Sequence, residues 1–145
     1  IEGPYDKWPR RDDEYSAFAE VIEHIINEIG AKVVLMSHSN GFELPPNFKL
    51  IQGRDYPLAK QLEKVVISRG KVNKDDICCL KKPYLPKETK SIIKHFDMFI
   101  TGRLHASVAA LSQNVPTVII MHGHGPKSHK IIGFSKIVGV EDSKT

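Results

Sequence analysis

The stretch "FDMFITGRLHASVAALSQNVPTVII", residues 96–120, leaves this chain few ways to fold. An apolar run ends at Gly102, a segment of small residues follows, and a second apolar run begins after Pro116. Strand, helix and strand in so short a length make a crossover, and crossovers join parallel strands. The same rhythm fills the rest of the chain. Residues 13–29 place Phe18, Val21, Ile22, Ile25, Ile26 and Ile29 at helical spacing, with Asp12 or Asp13 to cap the start and Gly30 to end it.

"KVVLMS" reads as a buried strand, and "HSNGFELPPNF" as a loop broken by Asn40-Gly41 and Pro45-Pro46. "LIQG" reads as a short strand, and "YPLAKQLEKVVISRG" as a helix with Pro57 in its first turn and Gly70 past its end. "DICCL" is a strand, "KETKSIIKHF" a helix, "MFIT" a strand, "LHASVAALSQN" a helix, "TVIIM" a strand and "KIIGFSKIVG" a closing helix. The expected class is α/β, with a parallel sheet covered by helices on both faces, as one domain over residues 1–145.

Composition narrows the functional classes. With 145 residues, 41% hydrophobic and 26% charged, the chain can bury an ordinary core. It has no apolar run of about 18 residues and no secretory pattern at its start. "IEGPYDKWPRRDDEY" reads as a mid-chain entry, so a fragment is expected. Cys78 and Cys79 are neighbours and make neither a disulfide framework nor metal-ligand spacing, which favours a reducing, cytoplasmic setting with buried, inert thiols. The net charge of +4 comes from scattered lysines with few aromatics among them, unlike the basic stripe of a nucleic-acid binder. It suits a phosphorylated small molecule equally well.

Chemistry concentrates at Gly102-Arg103-Leu104-His105. In open parallel sheets, ligands bind beyond the carboxyl ends of strands. Arg103 and His105 fall where a strand ends and a helix begins, and backbone N–H groups and the helix dipole favour an anion there. Gly102 permits a tight turn or close approach, Arg103 offers a planar fork for carboxylate or phosphate, and His105 can bind phosphate or pass a proton. Leu104 is expected to face the core. A bland alternative pairs Arg103 with a carboxylate such as Asp97 and satisfies His105 inside the fold.

"MHGHGPKSHK" holds His122, His124 and His129, but no acidic or Cys ligand stands beside them. No metal and no cofactor is expected, and the segment reads better as a ligand-covering loop whose Lys127 or Lys130 meets negative charge. Ser37 and Ser39, in "SHSNG", can offer hydroxyls and backbone N–H groups to a ligand, although a capping turn explains them too. His24 and His95 read as surface or helix-end residues.

Residues 96–120 with "KIIGFSKIVGV" behind them resemble the carboxyl-terminal signature of the polysaccharide pyruvyl transferases. The matching positions are Asp97, Arg103 to Ala106, Val115-Pro116, Lys130, Gly133-Phe134 and Ile137 to Val140. The resemblance implies one Rossmann-like half of a two-domain fold like that of B-type glycosyltransferases, with this chain as the second domain and an amino-terminal domain as its partner. It implies transfer of pyruvate from phosphoenolpyruvate to a sugar, as a ketal, with Arg103 and His105 holding the donor. Substrate contacts then fall to Gly102, Arg103, Leu104, His105, Ser37, Ser39 and Lys130. The acceptor is expected to be a sugar or lipid-linked saccharide of a cell-surface polysaccharide, with membrane-surface association through that acceptor. The histidine loop departs from the family pattern in being longer. Two other readings stay open: a nucleotide-sugar enzyme or glycosyltransferase of the same architecture, and a non-catalytic binding domain.

Overall fold

The computed structural model describes residues 11–120 and 128–139. These form mixed α/β structure in two compact units, the first ending at Leu85 and the second beginning at Pro86.

In the first unit a 3-10 turn at Asp12–Tyr15 leads into α1 (Ser16–Asn27), followed by β1 (Val33–Leu35). A hairpin of β2 (Gly41–Phe42) and β3 (Leu50–Ile51) comes next, then α2 (Asp55–Ser68), a 3-10 turn at Lys74–Asp76 and β4 (Ile77–Cys79). β1 and β4 run parallel, with Val33 opposite Ile77 and Leu35 opposite Cys79. The hairpin is antiparallel and occupies part of the segment expected to be loop.

Tyr15, Ala19, Ile22 and Ile26 form the buried stripe of α1. That stripe lies to one side of the expected one, since Val21 and Ile29 are exposed. Small Ala19 lets the helix sit close to its neighbours, and Tyr15 extends the stripe into the preceding turn. Val65 and Val66 of α2 and Ile77 of β4 complete the core, with Val33, Leu35, Leu58, Leu62 and Val72 packed against it. No side chain caps α1; Ser16 Oγ instead donates to the Asp13 carbonyl at 2.8 Å. Gly30 and Gly70 follow their helices at φ +73° and +67°, the left-handed conformation that ends a helix. β1 is half-buried rather than fully buried.

Two buried carboxylates anchor ion pairs in this unit. Glu23 of α1 is buried and accepts from Arg69 Nε and, at 3.2 Å, from Arg69 Nη2, while Lys71 Nζ stands 3.4 Å away. Glu63 of α2 is buried, pairs with Lys60, and accepts the Cys79 backbone N–H at 2.8 Å, tying helix to strand. Burial pushes the Cys79 thiol up, and the Glu63 carboxylate beside it adds to the shift. Cys79 is therefore the inert thiol expected, whereas Cys78 is exposed.

The second unit runs α3 (Pro86–Ile93), β5 (Phe99–Thr101), α4 (Leu104–Leu111), β6 (Thr117–Ile119) and α5 (Ser128–Ile137). β5 and β6 are parallel, with Phe99 opposite Thr117 and Thr101 opposite Ile119. Ile93, Phe99, Ala106, Ala109, Ala110, Val115 and Ile131 are buried, and the Phe96 and Phe99 rings stack with centroids 6.3 Å apart. The alanines explain the small-residue helix: without side-chain bulk, α4 can lie close to both strands it joins.

Among the described residues the strands form three two-stranded sheets, not one continuous sheet. Each parallel ladder is three residues long. Ile100 and Val118 face each other across β5 and β6 and are exposed, so helices do not cover both faces there.

The Glu23–Arg69 pair generates a pH prediction. Arg69's hydrogen bond holds the Glu23 carboxyl below its ordinary value of 4.5, with Arg69 and Lys71 charges adding and burial opposing. A carboxylate with a depressed folded pKa contributes stability that is present above its unfolded value and lost as pH falls through the folded one. Urea denaturation should show stability declining as pH drops below about 4.5. Glu23→Gln should be less stable at neutral pH and flatter on that acid limb. An unchanged acid slope in the variant would contradict this role.

Candidate functional site

The β5–α4 junction is built from the backbone outward. β5 ends at Thr101, whose Oγ1 accepts the Arg103 N–H at 3.0 Å, and Gly102 between them is buried. Arg103 is the N-cap of α4, extended at φ −104° and ψ 127°, and its carbonyl accepts the Ser107 N–H at 3.0 Å. The N–H groups of Leu104, His105 and Ala106 thus belong to the first turn, where a helix offers donors with no partner of its own. No acidic side chain stands in that turn. Arg103 is half-buried with Nε inside the protein, Leu104 is half-buried, and His105 is exposed. Exposure removes the reading of His105 as a satisfied interior histidine. Ser107 is fully buried and donates from Oγ to the Leu104 carbonyl at 2.7 Å, which secures the first turn. Arg103 and His105 stand beside the helix-end N–H donors, groups of the kind that suit a carboxylate or phosphate.

Lys130 belongs to the same unit and is exposed on α5. His122, His124, Lys127 and the side chain of His129 lie outside the described residues. Asp97 is exposed just before β5, and His24 and His95 are exposed as expected. Among the described residues no group of three His, Cys, Asp or Glu side chains could hold a metal, and no helix is long and apolar enough to cross a membrane.

Ser37 and Ser39 lie in the first unit, in the loop after β1, and the structure brings these two together. Buried Ser37 donates from Oγ to the Ser39 carbonyl at 3.2 Å. The N–H groups of His38 and Ser39 both point to Asp55 Oδ2, at 3.3 and 3.1 Å. The backbone donors expected to face a ligand are therefore engaged by an internal carboxylate. Asn40 Nδ2 donates to the Tyr84 carbonyl at 3.0 Å, tying this loop to the segment after β4. Gly53 packs so tightly on the loop that a Cβ there would come within 1.2 Å of the Ser39 carbonyl oxygen. Only glycine fits, because the obstacle is backbone.

Sequence reasoning missed Asp55, Gly53 and Tyr84. The available signal was an acid in the first turn of α2, two residues after a glycine, and Pro57 drew attention away from it.

The junction sets Arg103 and His105 at a strand-to-helix turn in an α/β setting. A family model described as polysaccharide pyruvyl transferase matches residues 2–124. The chain belongs to the polysaccharide pyruvyl transferase family, and so to the transferases of polysaccharide biosynthesis. The match takes in both the Ser37–Asn40 loop and the Gly102–His105 turn, and it ends before Lys130. No curated protein and no solved structure matches the chain.

Asp55 supplies the test of the loop. Asp55→Ala removes a charged acceptor from two N–H groups, each such bond being worth about 1.5–3 kcal/mol. Amide hydrogen exchange at His38 and Ser39 should accelerate by roughly ten-fold or more in the variant. Unchanged exchange there would mean that the loop is held by other contacts.

Proposed function

We propose that this chain is the carboxyl-terminal, Rossmann-like domain of a pyruvyl transferase, with a facing amino-terminal domain completing a fold like that of B-type glycosyltransferases. It transfers pyruvate from phosphoenolpyruvate to a saccharide acceptor as a ketal. The observation that supports this most is the turn at Gly102–His105, where Arg103 and His105 flank the donor end of α4 in a chain of this family. Phosphoenolpyruvate carries a carboxylate and a phosphate, so it needs convergent cations and N–H groups rather than a single contact.

In this reading Arg103 anchors the donor and the N–H groups of Leu104 and His105 hold its phosphate oxygens. His105 is the exposed group able to bind phosphate and to deliver a proton. The balance is simple. One sugar hydroxyl adds to the central carbon of the enol phosphate and gives up its proton to a base, while the methylene carbon takes a proton from an acid and becomes methyl. A second hydroxyl then displaces phosphate from that carbon, and its proton leaves to a base. Fixed positive charge stabilises the departing phosphate. Lys130, exposed on α5, adds a further substrate contact in this reading. The acceptor is a sugar or lipid-linked saccharide, which would bring the enzyme to the membrane surface from the cytoplasm. The domain alone binds weakly and turns over poorly, because catalysis needs groups held in register from both halves.

The engaged loop weighs against a nucleotide diphosphate reading. A phosphate placed at His38 and Ser39 would compete with the Asp55 carboxylate for the same N–H groups and meet its charge.

Arg103→Ala in the intact two-domain protein should raise KM for phosphoenolpyruvate by roughly ten- to a hundred-fold, the loss of one charge-assisted hydrogen-bonding group. The melting temperature should fall by no more than about 5 °C, since Arg103 is half-buried at the turn and outside the apolar core. Arg103→Lys should recover part of the loss, since a point charge replaces the planar fork. An unfolded Arg103→Ala, or one with unchanged KM, would make Arg103 a structural residue and remove it from the donor site.

A further inference from the structure

The base of the β2–β3 hairpin holds polar atoms that the donor site does not use. The hairpin register sets Gly41 opposite Ile51 and Phe42 opposite Leu50. Continued past the end of the ladder, the same pairing would set Asn40 toward Gln52 and Ser39 toward Gly53, and the Gly53 and Ser39 backbones do approach closely. Residues directly opposite on antiparallel strands share a face, with Cβ atoms about 5 Å apart.

Asn40 Nδ2 donates to the Tyr84 carbonyl, which fixes the orientation of its amide. Its Oδ1 is buried with no hydrogen-bond partner. In Gln52 both Oε1 and Nε2 are buried and neither has a partner, so exchanging the two ends of the amide would satisfy nothing. Folded chains rarely leave such groups idle, because an unpaired buried amide destabilises the fold that holds it. Asn40 lies in the loop after β1 and Gln52 just past β3, beside backbone held by Asp55, Gly53 and Tyr84. Rigid support with uncommitted hydrogen-bonding groups is the pattern of a binding subsite.

We infer that Asn40 and Gln52 form a subsite for a neutral hydroxylated ligand, the carbohydrate acceptor, an inference that rests on the pyruvyl-transfer reading above. Two amide oxygens need donors and one amide nitrogen needs an acceptor, and sugar hydroxyls supply both roles. A phosphate or carboxylate would bring negative charge toward the Asp55 carboxylate that holds the neighbouring N–H groups. The amide atoms are enclosed, so a hydroxyl reaches them as the hairpin shifts. With two residues in each strand, that hairpin is a marginal pairing and yields readily.

The test follows the side-chain NH2 resonances of Asn40 and Gln52 in this chain while methyl glucoside, methyl galactoside and methyl mannoside are titrated, with inorganic phosphate as the control. At least one glycoside should move both pairs of resonances, and phosphate should move neither. Gln52→Leu should melt at the same temperature or higher, having lost an unpaired amide, and should abolish the response at Asn40. Resonances that no glycoside moves, an equal response to phosphate, or a Gln52→Leu variant that melts several degrees lower or fails to fold would each overturn the subsite. Phosphoenolpyruvate-induced shifts at residues 102–106 report separately on the donor site. If they persist while the glycosides are silent, this subsite alone fails; if both are silent, it falls together with the functional reading.

Discussion

Val33–Leu35 against Ile77–Cys79, and Phe99–Thr101 against Thr117–Ile119, are ladders of three residues each. Strands so short have few backbone hydrogen bonds to hold them and depend on the helices that connect and cover them. In the first unit, α2 packs Val65 and Val66 against Ile77 and sends Glu63 to the Cys79 N–H. In the second, the alanines of α4 provide the cover between β5 and β6. The requirement that a helix follow each strand closely places a helix or loop start at the strand's carboxyl end. Both candidate sites arise there.

The two strand ends use that position in opposite ways. After β5, the helix start has no acid in its first turn and presents Arg103 and His105, so its donors favour an incoming anion. After β1, the corresponding donors at His38 and Ser39 already serve Asp55. That internal carboxylate engages the loop's backbone donors, while the neighbouring amides of Asn40 and Gln52 hold buried atoms with no hydrogen-bond partner. One end offers groups suited to an anion and the other neutral amides suited to hydroxyls.

Much of the architecture was legible because periodicity reports burial. All five helices and the parallel character of the two crossovers could be read from spacing, glycines and β-branched runs. The family could be read from the Arg-Leu-His-Ala turn and its neighbours, and the family match confirms it. What escaped depends on contacts between segments distant in sequence. Glu23 with Arg69, Glu63 with Cys79 and Asp55 with His38 each join residues that no local pattern relates. Leu50–Ile51 was legible as a short strand, but its partner Gly41–Phe42 escaped because it sits in a segment dominated by turn residues. The stripe of α1 was misplaced by one position class because Ala19 and Tyr15 count for little in an apolar tally yet fit closest to the core.

The central claim is that the β5–α4 turn receives phosphoenolpyruvate. Backbone amide shifts of this chain, recorded with phosphoenolpyruvate, inorganic phosphate and a nucleotide diphosphate sugar in parallel, test it most directly. The account predicts shifts centred on Gly102 to Ala106 with phosphoenolpyruvate, weaker ones at the same place with phosphate, and little response to the nucleotide. A nucleotide response at that helix start exceeding the phosphoenolpyruvate response would contradict the account and point to a glycosyl donor.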